Sequence, residues 1–260
     1  MKIWDVNPYG GGGGGGSSTY TNTAPTPETI GGIPAGSTFS SKTMKEMWDM
    51  LLYKYLAPAF SSFTISGVST TIEVGGEVPE SKTFTWGTTN SGNVTPNTIT
   101  ISDVTGGTTL ASGLSNSGSH TIVGDAVVKN VATNNVWRIS ANQLEGAPIS
   151  RNHTVNWQWR IYYGESASNV LDEAGIKALR VSNLSGSIAG NYSFQSGGYK
   201  YICCSSDFTI SSMKDQATGF NVPYEPMYLV DVTNAFGIAK SYRVYRTTNI
   251  IGGAITIIVT

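Results

Sequence analysis

From Phe60 onward, apolar residues fall on every second position in short runs. "FTISGV", "TTIEVG", "KTFTWGT", "NTITISD", "TTLASGL", "HTIVGD", "NVWRISAN" and "HTVNWQWRIYYG" each read as a strand with one buried face. Turn signals such as Gly75-Gly76, Ser91-Gly92-Asn93 and Gly106-Gly107 separate them. Seven or eight short strands in about 100 residues predict an immunoglobulin-like antiparallel β-sandwich over 60–163. Phe84 and Trp86 alternate with polar residues, so both are expected between the sheets. Val155, Trp157, Trp159 and Ile161 share one face of their strand by the same rule.

A second β-rich domain is expected over 164–260. "LDEAGIKAL" predicts a short helix capped by Asp172, with Ile176 and Leu179 facing inward. Strands resume at "NYSFQSGG", "YKYICCSS", "YLVDVTNAFG", "KSYRVYRTT" and "GAITIIVT". The last is hydrophobic and β-branched, and reads as a buried terminal strand. "WRIYYG" and "YRVYRT" echo each other, with Arg160 and Arg243 expected to point outward from alternating strands.

The first 59 residues follow neither pattern for long. Residues 38–59 hold an amphipathic helix, "TMKEMWDMLLYKYLAP", opened by Thr43 and Glu46 at capping-box spacing. Met44, Met47, Trp48, Leu51, Leu52 and Tyr55 fall at helical spacing, while Met50 and Tyr53 widen the stripe. Two arrangements follow: a helix laid over the open end of a sandwich, or a self-association helix with Met47, Met50, Trp48, Leu51 and Tyr53 at the interface. Ahead of it, residues 1–37 read as an extended arm and linker, with an unbroken glycine run from Gly10 to Gly16. The leader "MKIWDVNPYG" places Trp4, Pro8 and Tyr9 beyond that run. Large aromatics are anchor residues in protein interfaces, so these three are expected to bind a partner.

Composition narrows the function. Only 13% of the 260 residues are charged, with a net charge of −1, whereas soluble domains usually carry about 25%. This balance gives no electrostatic footprint for nucleic acid or an anionic membrane. Asp5 and Pro8 interrupt any secretory signal core, and no run is long enough to span a membrane. The two cysteines, Cys203 and Cys204, are adjacent and expected on opposite strand faces, as free thiols with one of them buried. His120 and His153 lack partners at metal-ligand spacing, and no nucleophile elbow or phosphate loop is present. Asp103, Asp125, Asp207, Asp215 and Asp231 are expected in turns rather than around calcium. No enzyme activity, cofactor or metal is expected.

The order of parts carries a resemblance. "TMKEMWDMLLY" leads through "PAFSSFTISG" into "KTFTWGTTNSGNVTPNTITISDVTGGTTLASGL", then "VNWQWRIYYG", "GGYKYIC" and "YRVYRTTN". Over 38–260 this resembles tailed-bacteriophage virion structural proteins of the tail-fibre, baseplate or collar kind. The resemblance implies assembly in the bacterial cytoplasm into a virion and contacts with other virion proteins. It also implies a homo-oligomer, a trimer, and no cofactor. A receptor- or carbohydrate-binding module at a tail tip, with Tyr162, Tyr224 or Tyr228 stacking on sugars, is the alternative. A head-fibre or capsid decoration is a further one.

Overall fold

The computed structural model describes residues 19–22, 24–27, 33, 36–52 and 55–260. The chain is mainly β, with 51% strand and 7% helix. It divides into two compact units, 1–58 and 59–260.

In the first unit, β1 (Thr19–Asn22) pairs antiparallel with β2 (Phe39–Thr43), which runs directly into α1 (Met44–Leu52). The junction is the reciprocal cap expected from the sequence. Glu46 N donates to Thr43 Oγ1 at 3.3 Å, and Thr43 N donates to Glu46 Oε2 at 2.6 Å. The bond from Thr43 N, with a second from Thr43 Oγ1 to the same carboxylate oxygen at 2.9 Å, holds the Glu46 pKa below its usual range. Ile33, Phe39 and Met47 form a small core, with Leu51 packed against it.

The second unit opens with a sandwich built from ten strands. In chain order they are β3 (Ala59–Ile65), β4 (Thr71–Glu73), β5 (Glu77–Val78), β6 (Ser81–Thr89) and β7 (Ile99–Asp103). Then come β8 (Thr108–Leu114), β9 (Gly118–Val123), β10 (Val127–Val128), β11 (Asn134–Ala141) and β12 (Ile149–Gln158). A three-stranded sheet, β3-β6-β9, faces a five-stranded sheet, β4-β12-β11-β7-β8, and β10 pairs with β5 at the margin. This is the immunoglobulin-like arrangement that the strand spacing predicts. Phe84 and Trp86 do point into the gap, which is lined across from them by Ile99, Trp137, Val155 and Trp157. Phe84 stacks on Phe63 within its own sheet at 5.6 Å, and meets Trp137 edge-on across the gap at 6.4 Å.

The remaining strands are β13 (Arg160–Ser166), β14 (Val181–Leu184), β15 (Gly190–Phe194), β16 (Tyr199–Ser205), β17 (Met213–Asp215), β18 (Tyr228–Thr233), β19 (Ala239–Arg246) and β20 (Ile255–Val259). They form a five-stranded sheet, β14-β13-β16-β19-β18, packed on a three-stranded sheet, β15-β20-β17. Helix α2 (Glu173–Lys177) is capped by Asp172, which accepts from Gly175 N at 2.8 Å. Ile176 and Leu179 then face inward, as the sequence predicts, over the outer face of the five-stranded sheet. That sheet is therefore covered on both faces.

Two expectations are corrected by this layering. Both cysteines are fully buried, not one: Cys204 faces the gap between the sheets and Cys203 faces the helix layer. Arg243 does not point outward. It pairs with Cys204 in register and shares the inner face with Tyr245, its Nε buried without a partner and its Nη1 on Thr209 Oγ1. Arg160 does lie on the outer face, opposite Ile161, where its side chain is 34% exposed and pairs with Glu73.

The two sandwiches are joined by one nearly continuous strand. β12 passes through Trp159 into β13, so Val155, Trp157 and Trp159 serve the first core while Ile161 serves the second. The β18–β19 turn reinforces the joint: Asn234 Nδ2 donates to Val74 O at 2.5 Å. Gly75, at φ 88°, is needed beneath it, because a Cβ there would lie 2.6 Å from Phe236 Cβ.

Candidate functional site

Of the residues expected to bind a partner, Trp4, Pro8 and Tyr9 lie outside the described residues. So do Tyr53 and the Met50 side chain among those expected at an oligomer interface. The remaining three separate. Met47 is buried in the core of its unit with Leu51 against it, whereas Trp48 is 55% exposed. The apolar positions of α1 thus form two faces rather than one. The small core around Ile33 and Phe39 can cover only the Met47–Leu51 side. Met44, Trp48 and Leu52, at i, i+4 and i+8, form an exposed stripe about 12 Å long. Its neighbours Lys45 and Asp49 bridge each other at 2.6 Å.

The tyrosines expected to stack on a ligand are largely engaged inside the fold. Tyr162 is buried, tilted against Tyr242 at 5.8 Å, which corrects its expected exposure. Tyr228 Oη accepts from Leu171 N at 2.7 Å, and Tyr224 packs edge-on against Tyr245 at 6.0 Å. The loop aspartates shape turns: Asp103 accepts from Gly106 N, and Asp215 from Ala217 N and Thr218 Oγ1. Asp207 takes Ser205 and Lys240, whose hydrogen bonds hold its pKa low. Among the described residues, no three His, Cys, Asp or Glu side chains cluster as a metal site. No described helix is long and apolar enough to cross a membrane.

A cleft that the strand pattern does not reveal lies beside Tyr163. It occupies about 470 Å³ where β14, an edge strand, turns across to β15, an edge strand of the facing sheet. Ile161 and Tyr163 line it from β13, Asn183 from β14 and Tyr192 from β15. Tyr163 is held edge-on between Tyr192 at 5.0 Å and Phe194 at 5.8 Å. The connecting loop is braced by its own serines: Ser185 Oγ donates to Ser187 O at 2.6 Å, and Ala189 N donates to Ser187 Oγ at 3.1 Å. Tyr192 Oη, its pKa pushed up to about 12 by burial, donates to Ile188 O at 2.7 Å and pins the loop. The one signal in the sequence is the Ser/Asn/Gly density of "SNLSGSIAGNYS", which by itself marks only a loop. No protein-family model, curated protein or solved structure matches this chain.

Proposed function

We propose that this chain is a structural component of a tailed-bacteriophage virion, in a tail fibre, baseplate or adaptor, attached through its N-terminal arm. The observation that carries the reading is the exposed Met44–Trp48–Leu52 stripe on the helix that follows the arm. An apolar stripe of this spacing is what a helix packing against copies of itself presents. The chain then assembles as a homo-oligomer, a trimer, with other virion proteins as partners and without a cofactor. Met47 and Leu51 take the role of holding the helix on its own unit. Assembly takes place in the bacterial cytoplasm and the mature location is the virion.

Dissociated particles run on a gel test this directly: the chain should be present in stoichiometric amount, and its absence overturns the reading. Deleting residues 1–16 should abolish incorporation while leaving thermal unfolding unchanged. Trp48→Glu should dissociate the oligomer, and an unchanged mass by light scattering would remove the stripe from the interface. Receptor or carbohydrate binding at a tail tip is the second reading, and the cleft beside Tyr163 is the observation that favours it.

A further inference from the structure

We propose that the cleft between β14 and β15 is a binding site for a neutral saccharide, with Tyr163 and Asn183 as its contact residues. This deepens the receptor-binding reading and rests on it, while leaving the virion reading to its own test. Position comes first. In the β13–β14 ladder Ile161 pairs with Asn183 and Tyr163 with Val181, so Asn183 shares the inward face with both Ile161 and Tyr163. Because β14 is an edge strand, that face is left open at Asn183 rather than covered by the other sheet.

Chemistry comes second. The cleft lining includes no Asp, Glu, Lys, Arg or His. It offers an aromatic ring of fixed orientation, and the Tyr163 hydroxyl and the Asn183 amide make no hydrogen bond with another described residue. An amide presents a donor and an acceptor side by side, which matches two neighbouring hydroxyls of a sugar ring. The aromatic carbons match its C–H face. A charged ligand would find no counter-ion here, and a wholly apolar one would leave the amide and phenol unpaired.

Preorganisation comes third. The Ser185–Ser187–Ala189 bonds and the Tyr192–Ile188 bond hold the wall in place without a ligand, so little ordering is needed on binding. The volume falls in the range of small-molecule sites, and the cleft is open to solvent. Single-site affinity is therefore expected to be roughly millimolar, raised by avidity when several copies bind one surface.

The experiment is saturation-transfer and chemical-shift NMR on the purified full chain. The probes are methyl glycosides of glucose, galactose, mannose and N-acetylglucosamine, with the charged sugar N-acetylneuraminate alongside. At least one neutral glycoside should show saturation transfer, with shifts at Tyr163 and Asn183. Asn183→Ala, at an exposed position, and Tyr163→Phe, which keeps the ring packing, should each weaken binding about fivefold to tenfold. Gln216→Ala, in a separate cleft, should leave it unchanged. The proposal is overturned if no neutral glycoside binds, if only N-acetylneuraminate does, or if Asn183→Ala binds as tightly as the parent chain.

Discussion

Arg160, the first residue of β13, reaches back to Glu73 on β4 with its Nε 2.9 Å from Oε2. The pair ties the second sandwich to the first, and its members differ in exposure: the Glu73 side chain is 7% exposed and that of Arg160 is 34%. A buried charge left alone is costly, whereas a partly exposed one can be hydrated again. Arg160→Ala should therefore destabilise the 59–260 unit by about 3 kcal/mol. Glu73→Gln, which keeps a hydrogen bond, should cost only about 1 kcal/mol. Urea denaturation of both variants checks the asymmetry, and equal costs would mean that water reaches Glu73.

Tryptophans in the two units should behave differently. Trp86 is packed in the first core and donates from Nε1 to Ser115 O at 3.1 Å, so Trp86→Ala removes a large packed ring and a hydrogen bond. The expected loss is about 3–5 kcal/mol, a large share of a domain's stability. Trp48→Ala should change the stability of the dissociated chain by no more than about 0.5 kcal/mol, because that ring is exposed within its own unit. Differential scanning calorimetry of the two variants separates core from surface.

His153 predicts a pH dependence. Its ring lies in the first sandwich, edge-on to Phe63 at 6.5 Å, with Nε2 buried and unpaired. Burial lowers its pKa below the usual 6.5, and a backbone hydrogen bond with Phe63 opposes the shift. With the folded pKa depressed, the unfolded chain binds the proton first. Stability is then complete above about pH 6.5 and falls as pH drops through the lower folded value, by at most about 1.4 kcal/mol per pH unit. Denaturation between pH 7.5 and 5, above the carboxylate range, should show the decline, and His153→Phe should flatten it.

The thiols should be inert. Burial pushes Cys204 up to about 12 and Cys203 well above its usual value. A thiolate is the reactive form, so iodoacetamide should label neither in the folded protein. Labelling across a urea series should follow global unfolding, and a fast reaction in buffer would show that one face of β16 opens locally.

Much of the fold was legible because strand alternation and turn residues are local signals. The period of two in "KTFTWGT" puts Phe84 and Trp86 on one side wherever the second sheet comes from. Thr43 with Glu46, and Asp172 before α2, announce helix starts through bonds spanning three residues. What alternation leaves open is which faces are covered. Cys203 and Cys204 were bound to lie on opposite faces, but both are buried only because α2 and its flanks cover the outer side of the five-stranded sheet. Arg160 and Arg243 both read as outward strand residues; Arg160 keeps that face but is held by Glu73, whereas the inward position of Arg243 depends on the edge of the second core, far away in sequence. Along α1, the helical period grouped Met47 with Trp48, but the small partner core of Ile33 and Phe39 divides them. The cleft beside Tyr163 belongs to the same class. It exists because two edge strands from different sheets meet at an open side, and no local pattern records that meeting. Strands, caps and alternation can be read from the chain alone, since each depends on neighbours a few residues away. Which faces are buried, paired or left open was decided by tertiary packing, because burial depends on what arrives from the far end of the chain.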